Sequence, residues 1–278
     1  MPVIEAPRGA AGYTDMGAGP GAPLLLVHGS ASSRRSWGAL LPALAASRRV
    51  LAPDLVGYDG AGSFDTGTFG GIGAECDRLL AVLDHAGVAR AHLAGHSYGG
   101  AVAVAFAERH PERVLTLTAM EPVMFRLLAG DPGSAAEWEE VSGVARGHME
   151  RVRAGDLAGA AAVFFGHWLG EEAWRAVAGP QREALLACMP KVAAEWSLLF
   201  EGGTAGHRAP DLRMPLLLMR GTATTRPAAR VVELLCRQWP DARLEEVAGA
   251  GHLLPYTHPG QAARAMAALM EPAEAAAA

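Results

Sequence analysis

The chain has 278 residues, of which 50% are hydrophobic and 19% charged, with a formal net charge of −5. That length accommodates one large α/β domain with an insertion or two small domains, and that apolar fraction supplies a sizeable core, which excludes a disordered chain. The charge balance excludes a basic stripe for nucleic acid and a polybasic patch for a membrane surface.

Taken in chain order, short apolar runs that stop at small or turn-forming residues predict buried parallel strands. Residues 24–27 run into His28-Gly29-Ser30, and residues 50–55 end in a glycine-rich stretch reaching Ser63. Residues 75–86 place Leu79, Leu80 and Leu83 at helical spacing, with Gly87 as the stop. A strand over 91–94 ends at Gly95, a helix over 98–109 ends before Pro111, and a strand over 114–120 ends at Glu121-Pro122. Residues 123–210 break the alternation: helical runs are punctuated by Pro132, Pro180, Pro190 and Gly202-Gly203, with no strand run. This segment carries Trp138, Trp168, Trp174 and Trp196 and reads as a helical cap inserted into a core formed by residues 1–122 and 211–278. Strands over 216–219 and 244–247, a helix over 227–238 and a last helix after Pro259 complete the pattern. Alternation of this kind means a mainly parallel sheet with helices on both faces.

The strongest local signal is Gly95-His96-Ser97-Tyr98-Gly99, a G-x-S-x-G pattern set between a predicted strand and a predicted helix. A sharp strand-to-helix turn strains the serine backbone and exposes its hydroxyl, while flanking glycines admit neighbouring backbone. A serine hydroxyl needs a base to take its proton. His85 and His110 sit at helix ends, His92 at a strand start, and His148, His167 and His207 in the inserted segment. His252 follows the last predicted strand in the loop Gly249-Ala250-Gly251, which makes it the candidate base, ahead of His258 beside Pro259. An oxyanion hole requires two N–H groups. Tyr98, which follows the nucleophile, and Ser30, after the Gly29 turn, are the candidates.

These segments, with Pro53-Asp54-Leu55, resemble the α/β-hydrolase superfamily in order and spacing over nearly the whole chain. The resemblance implies a mainly parallel eight-stranded sheet, a cap between strands six and seven, and no cofactor. It departs from the common family pattern in one place. Residues 222–227, after strand seven, hold no carboxylate, and Thr224 stands near the expected acid position. Glu121 directly follows strand six, at the sheet edge that carries Ser97 and His252, and resembles the variant whose acid lies there. The competing readings are a solvated glutamate at a strand end and a Ser–His dyad without an acid.

With serine in place of the aspartate of related dehalogenases and epoxide hydrolases, the resemblance points to acyl transfer. The expected reaction is hydrolysis of an ester, lactone or thioester of a small hydrophobic acyl substrate through an acyl-enzyme on Ser97. His28, His96, Trp168 and Trp196 are the candidate pocket residues. Two other classes compete. A cofactor-free C–C hydrolase or lyase would use Ser97 and His252 as a proton shuttle with help from His96 or His167, and a non-catalytic protein would only bind a ligand. Cys76, Cys188 and Cys236 are odd in number and far apart, so neither a disulfide framework nor a zinc site is expected. The opening residues lack a signal-peptide layout, and no apolar run approaches the ~20 residues that span a bilayer. A cytoplasmic monomer or homodimer without nucleic-acid or membrane partners is the expectation.

Overall fold

The computed structural model describes residues 2–6, 9–58, 64, 69–201 and 208–277. Eight strands form one sheet: β1 (Val3–Ala6), β2 (Gly9–Met16), β3 (Gly21–Val27), β4 (Arg48–Pro53), β5 (Ala91–His96), β6 (Val114–Met120), β7 (Leu216–Gly221) and β8 (Arg243–Val247). Their order is β1-β2-β4-β3-β5-β6-β7-β8. The β1–β2 and β2–β4 pairs are antiparallel, and all the others are parallel. The expected mainly parallel eight-stranded sheet is present. Its two antiparallel strands carry no apolar run that a sequence reading could seize: β2 is Gly-Ala-Ala-Gly-Tyr-Thr-Asp-Met, poor in strand-forming side chains.

Successive strand residues face opposite sides of the sheet, and each side has its own core. Leu24 and Leu26 join Val50, Ala52, Met120, Leu217 and Met219 under α1 (Leu40–Ala45) and α12 (Pro259–Ala277). Leu25 and Val27 join Leu51, Leu93, Leu117 and Leu218 on the other side, under α2 (Gly71–His85), α3 (Tyr98–Arg109) and α10 (Arg226–Gln238). Each leucine buried this completely contributes about 1.5–3 kcal/mol.

Among the described residues, six α-helices lie between β6 and β7: α4 (Arg126–Ala129), α5 (Ala135–Arg153), α6 (Leu157–Leu169), α7 (Glu171–Ala176), α8 (Gly179–Ala187) and α9 (Met189–Glu201). No strand interrupts them among the described residues. Gly202-Gly203, His207 and the glycine-rich residues 59–63 lie outside the described residues. Asp156 caps α6 by accepting from the Gly159 N–H at 2.8 Å. An aromatic layer of Phe125, Phe164, Trp168, Trp196 and Phe200 joins α6 and α9 to the chain leaving β6. Trp174 stacks on Phe165 and Trp138 packs on Phe200, so these two tryptophans serve packing. The chain's single lysine, Lys191 on α9, reaches Glu75 on α2 at 2.9 Å and Glu195 one turn along at 3.1 Å, all three buried. This ion cluster ties the inserted helices to the core. Removing one partner would leave an uncompensated buried charge, at a cost of about 3–5 kcal/mol.

Candidate active site

Strand register brings the candidate residues together. His96 pairs with Met120 across β5–β6, and Met120 with Met219 across β6–β7. Ser97 and Glu121 therefore leave adjacent strands at the same level: the Ser97 N–H donates to the Met120 carbonyl at 3.0 Å and the Glu121 N–H to the Met219 carbonyl at 2.9 Å. The loop carrying His252 is fastened to the end of β7, with the Ala223 N–H on the Ala250 carbonyl at 2.9 Å and the Gly249 N–H on Thr222 Oγ1 at 2.9 Å.

Ser97 sits at φ 56°, ψ −121° between β5 and α3, the strained turn expected of the motif. Among the described residues only Ala31 (φ 48°), Ser97 and Glu121 (φ 46°) combine a positive φ with a side chain. All three follow neighbouring strands at this one edge. Each such conformation costs about 1–3 kcal/mol, and the surrounding structure must hold it. The glycines of the motif explain how the turn fits. A Cβ on Gly99 would lie 2.2 Å from the His28 carbonyl oxygen, and one on Gly95 would lie 2.1 Å from the Gly99 carbonyl oxygen. Gly99→Ala should therefore lower the unfolding free energy by about 3 kcal/mol, read as a shifted urea midpoint at unchanged slope.

A continuous hydrogen-bond chain crosses the edge. Ser97 Oγ lies 3.0 Å from His252 Nε2, and His252 Nδ1 lies 2.6 Å from Glu121 Oε2. With Nδ1–H donating to the carboxylate, Nε2 is left to accept from the serine hydroxyl. Glu121 is fully buried and is held by two further donors, the Gly221 N–H on Oε1 at 2.7 Å and the Thr224 hydroxyl on Oε2 at 2.6 Å. Burial pushes its pKa up, but the bonds from His252, Thr224 and Gly221 outweigh that and hold the carboxyl below its usual range. Thr224, at the position lacking a carboxylate after β7, thus hydrogen-bonds the carboxylate supplied from β6. Asp211 pairs with Arg213 and Glu246 with Arg220, both at exposed positions away from this chain of bonds.

The remaining sequence candidates divide. Tyr98 is the first residue of α3, so its N–H has no acceptor within the helix. Ser30 lines the space beside Ser97. Gly29 packs so closely that a Cβ there would lie 3.0 Å from Ser97 Cβ. His96 lines the cavity and braces its neighbour: Nε2–H donates to the His252 carbonyl at 2.7 Å, and Nδ1 faces the Tyr256 hydroxyl at 3.4 Å. Burial, with the nearby His252, pushes its pKa down to about 3, so the ring is neutral. His28 does not line either cavity beside Ser97. Its Nδ1–H donates to the Gly29 carbonyl at 2.8 Å and its Nε2 accepts from the Leu55 N–H at 3.0 Å. With both nitrogens engaged and the ring fully buried, His28 anchors the turn to the chain after β4. His167 also lies outside both linings.

Two cavities flank Ser97. One, with ≈ 620 Å³ of empty space, is walled by Ser30, His96, Phe165, Trp168, His252 and Tyr256 among others. The second, much smaller, lies toward α9 and is walled by Val123, Phe125, Trp168, Glu195, Trp196 and Leu199 among others. Trp168 borders both and stacks on the His252 ring, with centroids 4.0 Å apart and planes at 25°. A tryptophan face so placed covers one side of the imidazole and shields it from water. The sequence signal for this contact was only the aromatic richness of the insertion. No group of three or more potential metal ligands occurs among the described residues, and no described helix is long and apolar enough to cross a membrane.

A family profile described as alpha/beta hydrolase fold matches residues 22–259. A protein of Azorhizobium caulinodans named as a carbamate hydrolase is 30% identical over 242 residues, covering 84% of this chain and 85% of its own. The 2-hydroxymuconate semialdehyde hydrolase of Pseudomonas sp. (strain CF600) is 39% identical over 105 residues, 37% of each chain. The chain thus spans only about a third of the length of several curated relatives that it matches. Among solved structures, a hydrolase from Pseudomonas aeruginosa superposes with a TM-score of 0.72 at 25% identity, covering 96% of this chain and 97% of that one.

Proposed function

The chain belongs to the alpha/beta hydrolase fold family, and on that footing we propose that it is a serine hydrolase acting on an ester, lactone or thioester of a small hydrophobic substrate. The observation that carries this reading is the unbroken chain Ser97 Oγ–His252 Nε2–Nδ1–Glu121 Oε2, with contacts of 3.0 and 2.6 Å beside a mostly apolar cavity. His252 takes the Ser97 proton as Oγ adds to the substrate carbonyl, and Glu121 stabilises the imidazolium that forms. The N–H groups of Ser30 and Tyr98 bind the oxyanion, where each donor contributes about 3 kcal/mol. The imidazolium then protonates the leaving oxygen or sulfur, and the C–O or C–S bond breaks to leave an acyl-Ser97 ester. Water, deprotonated by His252, adds to that ester and releases the acid. Residues 123–210 serve as the cap, with Trp168 closing over His252. No cofactor takes part in this scheme.

The relatives named for hydrolysis of a carbamate and of a semialdehyde lend support to cleavage next to a carbonyl. Labelling with a fluorophosphonate tests the reading. The wild-type protein is expected to be labelled at Ser97 within minutes, and His252→Ala only weakly. A folded wild type that takes no label would overturn it.

A further inference from the structure

The two cavities beside Ser97 differ in what they can receive. A leaving group must sit where His252 can protonate it, and His252 lines only the larger cavity. The cavity toward α9 therefore falls to the acyl side of the substrate. It is small, with room for little more than a water-sized group before a wall must move. Its walls are apolar, Val123, Phe125 and Leu199 among them, apart from Ser30, Ser97 and two polar intrusions from α9.

Those intrusions are incompletely satisfied. Glu195 is 1% exposed, and its Oε1 accepts from the Tyr58 hydroxyl at 2.8 Å and from Lys191 Nζ at 3.1 Å. Its Oε2 is buried and makes no hydrogen bond of good geometry among the described residues, with the Ser30 side chain on the same cavity wall as its nearby donor. The next residue, Trp196, is 3% exposed, and its indole Nε1–H likewise has no partner there. A buried orphan acceptor costs about 1–3 kcal/mol, more when charged, so a donor entering the cavity gains by meeting it. Burial pushes the Glu195 carboxyl up, against Lys191, Ser30 and Tyr58, which favour its ionised form. Glu195 Oε2 calls for a donor and Trp196 Nε1–H for an acceptor, so one group serving both must donate and accept. A hydroxyl does this; an NH₂ group next to a carbonyl donates well but accepts poorly.

We propose that this cavity is an acyl-side subsite for a short hydroxyl-bearing acyl group, whose O–H donates to Glu195 Oε2 and whose oxygen accepts from Trp196 Nε1. The proposal rests on the serine-hydrolase reading above and adds the substrate class. Glu195 is then a specificity residue, held in place by Lys191 and Tyr58.

Matched esters of one leaving group test it. Glycolyl and propionyl 4-methylumbelliferyl esters differ by a hydroxyl in place of a methyl, and carbamoyl and acetyl by NH₂ in place of methyl. Each kcat/KM ratio (for the carbamate, the ratio of leaving-group burst rates) is divided by the ratio of hydroxide-catalysed rates. Wild type is expected to prefer glycolyl over propionyl by about tenfold or more, the range of a hydrogen bond to a charged group. In Glu195→Gln, Lys191 and Tyr58 demand an acceptor at the Oε1 position, so the amide NH₂ turns into the cavity and the ratio falls to one or below. Trp196→Phe keeps the ring wall, lowers the glycolyl ratio and leaves the carbamoyl ratio unchanged; it carries the test if Glu195→Gln does not fold. A corrected wild-type ratio near one means that water alone fills the cavity and overturns the proposal, as does a ratio indifferent to both substitutions. A preference confined to the carbamoyl pair replaces the hydroxyl with an NH₂ group and overturns it too. Failure of wild type on all four esters, with no fluorophosphonate label, would instead overturn the serine-hydrolase reading, and the subsite with it.

Discussion

Ser97→Ala is expected to lower ester turnover by about 10⁴-fold or more while the thermal unfolding midpoint stays near that of wild type. The side chain carries one hydroxyl, which bonds His252 Nε2 at 3.0 Å, and the strained turn around it is set by Gly95, Gly99 and the Met120 carbonyl. Removing the hydroxyl therefore deletes the proposed nucleophile and leaves the turn standing. Whatever rate survives measures the oxyanion donors and the cavity acting on water alone. If the variant kept a tenth of the wild-type rate, the observed turnover would be arising elsewhere on the protein.

Glu121→Gln is expected to lower kcat by about 10²–10⁴-fold, the second-largest effect. Glutamine keeps the shape but must place an NH₂ against one of three donors: the Gly221 N–H, the Thr224 hydroxyl or His252 Nδ1–H. Either a donor is left facing a donor or the imidazole reverses its tautomer and Nε2 no longer accepts from Ser97. The same substitution carries a pH signature. The folded-state carboxyl titrates below the 4.5 of an ordinary glutamate, so its contribution to stability is complete above that value. It is lost as pH falls through the lowered folded-state value. The stability gap between wild type and Glu121→Gln, measured by urea unfolding, should accordingly be widest near about pH 7 and shrink toward about pH 3. A gap that widened on acidification would contradict the ionised, hydrogen-bonded Glu121 seen beside His252.

Much of this arrangement was legible in the chain because it depends on local chemistry. The runs ending at His28, Gly95, Glu121 and Gly221 read as buried strands, and a motif with glycines around Ser97 leaves few alternatives to a sharp turn. Glu121 could be named because parallel strands deliver the residues after them to one edge. What escaped depends on contacts distant in sequence. The antiparallel strand β2 holds its place through pairing with β1 and β4, not through side chains that favour a strand, and the four-residue β1 is held by β2 alone. His28 reads as a pocket residue beside Gly29, yet the Leu55 N–H and the Gly29 carbonyl claim both of its nitrogens. Lys191 stood out in the sequence only as the single lysine, and its pairing with Glu75, 116 positions away, is invisible without the fold. Opposite charges at i and i+4 on a mostly apolar helix, Lys191 and Glu195, were the one available hint of the buried cluster. The stacking of Trp168 on His252 has no sequence signal beyond composition.

The central claim is that Ser97 becomes acylated. Rapid acid quench of wild-type protein during turnover of a 4-methylumbelliferyl ester, followed by intact-mass measurement, tests it most directly. The expected result is a fraction of the protein heavier by the mass of the acyl group, located on the peptide holding Ser97 and absent from Ser97→Ala. Turnover that depends on Ser97 but never yields an acyl adduct, and that gives no acyl hydroxamate when hydroxylamine is present, would contradict the covalent route and leave Ser97 and His252 as a proton shuttle.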